Sequence, residues 1–168
     1  MRIVVSDSSC LIDLRKALLL DVFLKLPYEI LIPNTLFEDE LLKFTDEERA
    51  RLLEGLEVVD LPGERVLRAR QVARDFPQLS IHDSFAVALA EHNPGCILLT
   101  GDAALRDLAT EQNIEVHGIL WVIDQLHANA LVAPGELARA LRMFAGDPTV
   151  RLPRQALAAY IKRYERMV

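Results

Sequence analysis

Hydrophobic positions along the chain fall into short runs separated by longer helical stripes. The β-branched, apolar run Arg2-Ile3-Val4-Val5-Ser6 predicts a central parallel strand, because such strands are covered on both faces. Ser8-Ser9 offer N-cap chemistry for a helix through Leu14, continuing or restarting to about Leu26 before Pro27 breaks it. Ile30-Leu31-Ile32 reads as a second strand, and Pro33 suits the first turn of a helix through about Phe44. Thr45-Asp46-Glu47-Glu48 is a capping box before a helix ending near Gly55. Glu57-Val58-Val59-Asp60 is strand-like, and Pro62-Gly63 turns into a helix to about Asp75.

Ser80 starts the most apolar helix, which runs to about His92 and is ended by Asn93-Pro94-Gly95. Cys96 to Leu99 is a buried strand, and Asp102 caps a helix to Ala109. Glu115-Val116-His117 is a last short strand, and Gly118 opens a helix to about Ala130. Two further helices cover Pro134 to Phe144 and Pro153 to Glu165. Strands alternating with helices imply parallel βαβ units, hence an α/β fold: a three-layer α/β/α sandwich with a central parallel sheet and extra C-terminal helices. The expected organisation is a main α/β domain over residues 1–130, with a C-terminal helical extension over 131–168 packed on the same domain.

At 168 residues the chain fits one domain with a sizeable core. With 51% hydrophobic and 26% charged residues it is a globular composition, not a disordered one. No apolar stretch approaches the roughly 20 residues that cross a bilayer. Met1-Arg2 leads straight into a strand-like run without signal-peptide order, so a cytoplasmic protein without a membrane partner is expected. Cys10 and Cys96 have no companions at metal-ligand spacing and read as small buried hydrophobes. A net charge of −6 argues against a surface coated for nucleic acid, yet an acidic metal site would itself lower that total.

The acids draw attention because of their neighbours. Asp7 closes the first strand, Asp83 lies inside the most apolar helix, and Asp102 follows Ile97-Leu98-Leu99-Thr100-Gly101. A buried carboxylate without a partner costs several kcal/mol, so three at the ends of apolar elements are most simply explained by a shared cation. In doubly wound sheets, ligands bind at the carboxyl ends of the strands, where Asp7 and Asp102 would sit. Among Glu38, Asp39 and Glu40, helical geometry over Leu36, Phe37, Leu41 and Phe44 turns Glu40 inward and leaves Asp39 on the edge as its rival. Each acid also has a plain structural reading. Asp83 can close a capping box with Ser80, Asp102 can be an N-cap, and Asp7 can form a turn with Ser9.

In these segments the chain resembles the PIN-domain family of metal-dependent ribonucleases, which includes the VapC toxins. The resemblance is carried by Val4-Val5-Ser6-Asp7-Ser8-Ser9 with Leu11-Ile12, the helix after Pro33, Leu79-Ser80-Ile81-His82-Asp83-Ser84, and Leu99-Thr100-Gly101-Asp102. It covers residues 1 to about 125, and the tail from Gly118 is similar to a PIN-like subgroup with a helical extension. The resemblance implies a four-acid centre at Asp7, Glu40, Asp83 and Asp102, with Ser9 and Thr100 as supporting hydroxyls. The three adjacent acids leave the register of the second one open. His82 has no place in that pattern and is expected on the helix surface.

The implied activity is hydrolysis of RNA phosphodiester bonds, with Mg²⁺ or Mn²⁺ as cofactor because the ligands are all oxygen. Substrate grip is expected from Arg15, Lys16, Lys43 and Arg106. The resemblance further implies a type II toxin, a small antitoxin partner and a homodimer. The alternative is a PIN-like binding module whose metal site is vestigial or structural. A phosphotransfer or phosphatase domain is disfavoured, since Asp7-Ser8-Ser9 lacks a second Asp.

Overall fold

Apolar runs too short for stable helices must pair edge to edge, because buried backbone amides need partners. In the computed structural model, which describes residues 1–168, five such runs form one all-parallel sheet. They are β1 (Arg2–Ser6), β2 (Tyr28–Pro33), β3 (Glu57–Val59), β4 (Ile97–Leu99) and β5 (Glu115–His117), in the order β3-β2-β1-β4-β5. The connections carry α1 (Ser8–Lys16), α2 (Leu20–Phe23), α3 (Asn34–Asp39), α4 (Asp46–Gly55), α5 (Gly63–Asp75), α6 (Ile81–Glu91) and α7 (Ala103–Glu111). After β5 come α8 (Ile119–Ala128), α9 (Pro134–Ala145) and α10 (Arg154–Arg166).

Alternation along the strands assigns the layers. Val4, Ile30, Ile32, Ile97 and Leu99 belong to the larger core, shared with α1, α8, α9 and α10. Val5, Leu31 and Leu98 face the smaller core under α5, α6 and α7. The result is an α/β/α sandwich. The tail is part of it: Leu137, Leu141 and Phe144 of α9 are no more than 1% exposed. Burying three such side chains contributes several kcal/mol, a large share of the stability of any domain. Asp124 of α8 then fastens α10, accepting from Tyr160 Oη at 2.7 Å, Tyr164 Oη at 2.6 Å and the Arg163 guanidinium. No helix is long and apolar enough to cross a membrane.

One helix differs from the sequence expectation, and another takes the restart it left open. The helix expected from Pro33 to Phe44 ends at Asp39. Arginines from other elements satisfy one of its last carbonyls and two in the segment that follows. Arg49 of α4 donates to Phe37 O at 2.8 Å and to Leu41 O at 2.5 Å, while Arg15 donates to Lys43 O at 3.2 Å. With those groups satisfied, the chain can leave the helix and bury Leu41 and Phe44. The first helix stops at Lys16 and restarts at Leu20. Between them Leu19 N reaches Leu14 O and Leu18 N reaches Arg15 O, a Schellman ending that places Leu18 at φ 60°. Glycine is the usual residue there, so no local signal marked the break.

The register decides what lies at the carboxyl edge. Ser6 pairs with Leu99 and Leu99 with His117, so Asp7, Thr100 and Gly118 follow three neighbouring strands at one level. The strand order reverses between β1 and β4, which is where such sheets open a crevice.

Candidate metal centre at the carboxyl ends of the strands

Asp7 is held from three sides. It is the N-cap of α1 and is 3% exposed. Its Oδ1 accepts from Cys10 N at 3.1 Å and from Ser9 Oγ at 2.9 Å, and its Oδ2 accepts from the Thr100 hydroxyl. Its own amide donates to Leu99 O at 3.0 Å, tying it to β4. Thr100 Oγ1 in turn accepts from Asp102 N at 3.0 Å. One buried hydroxyl therefore links the acid after β1 to the acid after β4, across the reversal in strand order. Asp102 caps α7 through Oδ1, which accepts from Leu105 N at 2.9 Å.

Asp83 arrives from the other layer. It closes a capping box on α6, with Oδ2 accepting from Ser80 N at 3.2 Å and Ser80 Oγ accepting from Asp83 N at 3.0 Å. Burial pushes the Asp7 carboxyl above its usual range against the pull of its three donors, and the Asp83 charge adds to the rise. Burial likewise raises Asp83, and the Asp102 charge adds to it. Asp83 thus lies electrostatically between the other two. Asp83 closes its capping box and Asp102 caps its helix, as the structural readings of the sequence anticipated, whereas Asp7, read as a turn former, takes the N-cap place expected of Ser8-Ser9.

Capping leaves lone pairs free. Asp83 Oδ1 and Asp102 Oδ2 accept no hydrogen bond, and Asp7 uses three of the roughly four acceptor positions a carboxylate offers. No three His, Cys, Asp or Glu side chains are grouped so as to hold a metal ion by themselves. The free carboxylate oxygens are of the ligand type Mg²⁺ and Mn²⁺ take, and Mg²⁺ uses one or two carboxylates and completes its shell with water and phosphate. No Cys or His ligand is offered, so the chemistry is that of hard, oxygen-seeking ions.

The three adjacent acids of α3 sit in different settings. Glu40 is its C-cap, its amide still donating to Leu36 O at 3.0 Å; it is half-buried, and its side chain makes no hydrogen bond. Glu38 is exposed. Asp39 is the acid of this group that reaches α6, with Oδ2 3.8 Å from His82 Nε2, beside Asp83. His82 is not a surface residue. Its side chain is only 20% exposed, because α3 packs on the first turn of α6, and its Nδ1 is buried without a partner. Thr35 Oγ1, at the start of α3, is buried and unpartnered too. Neither feature is legible in local sequence, since both depend on how α3 docks.

The expected cations divide. Arg15 is committed to Glu48 at 2.6 Å, and Lys16 bonds Thr149 at 2.5 Å beside Asp147. Lys43 is exposed and forms no side-chain bond or ion pair. Arg106 Nη2 donates to Thr100 O at 3.2 Å. Neither of the two best-formed clefts contains an acid of the centre. One lies by Arg15, Leu18 and Arg51, the other by Arg2, Gly95 and Glu115 at the opposite end of the sheet.

An all-parallel α/β/α sandwich with carboxylates at its strand-order reversal is a PIN-like, nuclease-type fold. A family model of the PIN domain matches residues 3–166, and the chain belongs to the PIN-domain family. The match runs through α9 and the whole of α10. PIN domains are nuclease-type folds that usually bind divalent metals. No curated protein matches the chain.

Proposed function

We propose that this protein is a Mg²⁺- or Mn²⁺-dependent endoribonuclease hydrolysing RNA phosphodiester bonds. The observation that carries the reading is the Thr100 hydroxyl bridging Asp7 and the Asp102 amide at the reversal of strand order. Asp7, Asp83 and Asp102 would hold the ion, joined from α3 by Asp39 or Glu40. When bound, a divalent ion supplies positive charge at the phosphodiester and acidifies water for attack.

The chain's own residues do the positioning. Ser9, Thr100 and the Cys10 amide fix the Asp7 carboxylate so that it has one orientation to offer. The N-terminal turns of α1, α6 and α7 each satisfy one of the acids, so their partial positive charge lessens the repulsion among them. Asp83 Oδ1 and Asp102 Oδ2 remain open toward an ion or the water it orders. Burial that raises Asp7 and Asp83 makes a cation the natural counter-charge.

The family resemblance supports a finer reading: a VapC-like toxin of a type II system in the cytoplasm, silenced by a small antitoxin and acting as a homodimer. One observation favours the alternative of a binding module with a vestigial or structural site. Asp7, Asp83 and Asp102 each already serve a helix start, and no three His, Cys, Asp or Glu side chains are grouped to hold an ion by themselves.

The test is cleavage of a single-stranded RNA with Mn²⁺, Mg²⁺ or EDTA, run beside calorimetric titration of Mn²⁺. Metal-dependent cleavage with measurable Mn²⁺ binding is the expected result. Binding without cleavage selects the module, and neither removes the metal centre altogether.

A further inference from the structure

A centre built of acids repels the phosphates it must cut, and a net charge of −6 gives no general attraction for RNA. A local cation has to offset that repulsion. Most arginines near the site cannot supply it. Arg15 is neutralised by Glu48, and Arg49 spends its guanidinium on Phe37 O and Leu41 O.

Arg106 is different in three respects. It lies one turn after Asp102 on α7, with Arg106 N donating to Asp102 O at 3.0 Å, so the two side chains leave the same face. Its Nη2 holds the carbonyl of Thr100, the residue whose hydroxyl bridges Asp7 and Asp102. No carboxylate is within ion-pair distance of it, and the residue is exposed. Arg106 is the one cation that bonds any of the residues Asp7, Ser9, Asp83, Thr100 and Asp102.

Gly118 supports the same reading from across the sheet. A Cβ there would stand 2.7 Å from Arg106 Nη2 and 3.5 Å from Thr100 O. The backbone does not demand glycine, since φ −126° and ψ −164° are open to other residues. The bare backbone lets the guanidinium, the mobile end of Arg106, lie over the start of α8 against Thr100 O; a Cβ would make it shift.

We propose that Arg106, pinned to the Thr100 carbonyl across Gly118, is the residue that grips an RNA backbone phosphate beside the acidic centre. The proposal rests on the ribonuclease reading. One N–H of the fork holds the protein, while Nη1 and Nε make no bond within it. An arginine fixed in this way loses little freedom when it meets phosphate, and its planar fork matches two phosphate oxygens. The contact reads no base, so it contributes affinity and register without sequence preference.

The test compares Arg106→Gln, Arg106→Lys and Gly118→Ala, each with its melting temperature measured. Binding of unrelated single-stranded RNAs is followed by fluorescence anisotropy over a range of salt, in an Asp83→Asn background that prevents turnover. Arg106→Gln is expected to weaken binding about tenfold for every RNA, and to lower the slope of log affinity against log salt by about 0.7. Arg106→Lys should keep that slope. Gly118→Ala shifts the guanidinium but keeps its charge, so it should keep the slope and weaken binding less than Arg106→Gln, and add little to it in combination. With Asp83 restored and Mn²⁺ present, KM should rise more than kcat falls. Unchanged salt slope and KM in Arg106→Gln would overturn the assignment while leaving the nuclease standing. A wild type that neither binds nor cuts RNA removes the nuclease and this residue's role with it.

Discussion

The Thr45–Glu48 box of α4 and the Ser80–Asp83 box of α6 are built alike. In each, the cap hydroxyl accepts the N3 amide, at 3.1 and 3.0 Å, and the N3 acid returns to the cap amide, at 3.0 and 3.2 Å. Their electrostatics are opposite. Arg15 bonds Glu48 through two nitrogens and brings its carboxyl down to about 2. Asp83 has no such arginine; burial and the Asp102 charge push it up instead. The same backbone motif is a closed structural pair in one layer and an open acid in the other. A helix cap therefore does not tell a ligand from a staple. The counter-charge does.

The largest expected effect comes from removing charge at the open box. Asp83→Asn keeps an oxygen for the cap but withdraws a negative ligand. Mn²⁺-dependent RNA cleavage should fall by a hundredfold or more, since even partners that merely support ligands are worth roughly 10–100-fold. Thermal stability should hold or rise, because a buried charge has been relieved. A variant that cleaves like wild type would put Asp83 outside the mechanism and make the two boxes equivalent.

Thr100→Val tests how the open acids are held. It leaves the Asp7 carboxylate and the Asp102 amide each short of a partner in a buried place. The expected cost is roughly 1–3 kcal/mol in chemical denaturation. Mn²⁺ affinity should fall with it, read by calorimetry. Lost stability with intact Mn²⁺ binding would show that the bridge serves the fold alone.

Much of this contrast was legible in the chain, and the reason is locality. The strands announce themselves because β-branched runs have few other uses, and the caps at Thr45, Ser80 and Asp102 are written within four residues. The α/β/α layering and the positions of Asp7, Asp83 and Asp102 followed from these. What stayed hidden depends on distant partners. The carbonyls at and past the end of α3 are satisfied by Arg49 and Arg15, which arrive from α4 and α1, and no pattern within residues 33–44 records that. The setting of Asp39 and Glu40 depends on that same docking. The burial of His82 has the same origin, since it needs α3 seated against α6. Leu18 hid the break after α1 because a left-handed leucine carries none of glycine's signal.

Glu48→Gln probes the closed box at smaller cost. The Arg15 pair is only partly buried, so its loss should destabilise by about 1 kcal/mol while Mn²⁺-dependent cleavage is unchanged. A drop in activity at equal stability would connect α4 to the centre after all.

The smallest effects are in the pH dependence of stability, and they have opposite signs. Glu48 titrates at about 2 in the fold against an ordinary 4.5, so the native state binds fewer protons than the unfolded chain in that window. Stability from this group is complete above the ordinary value and is lost as pH falls through about 2. Asp13, half-buried on α1, runs the other way: burial raises it from an ordinary 3.8 to about 6. There the native state holds a proton the unfolded chain has released. Stability therefore declines as pH rises across that window, and the penalty is complete above about 6. Denaturation midpoints followed from acid to neutral pH should rise and then decline. Glu48→Gln should flatten the rising limb, and Asp13→Asn should soften the declining one. Asp7 and Asp83 deepen that same decline, so saturating Mn²⁺ should reduce whatever part of it Asp13→Asn leaves. A decline that Mn²⁺ leaves untouched in Asp13→Asn would mean the open acids meet no cation, and the contrast between the two boxes would then lie in burial alone.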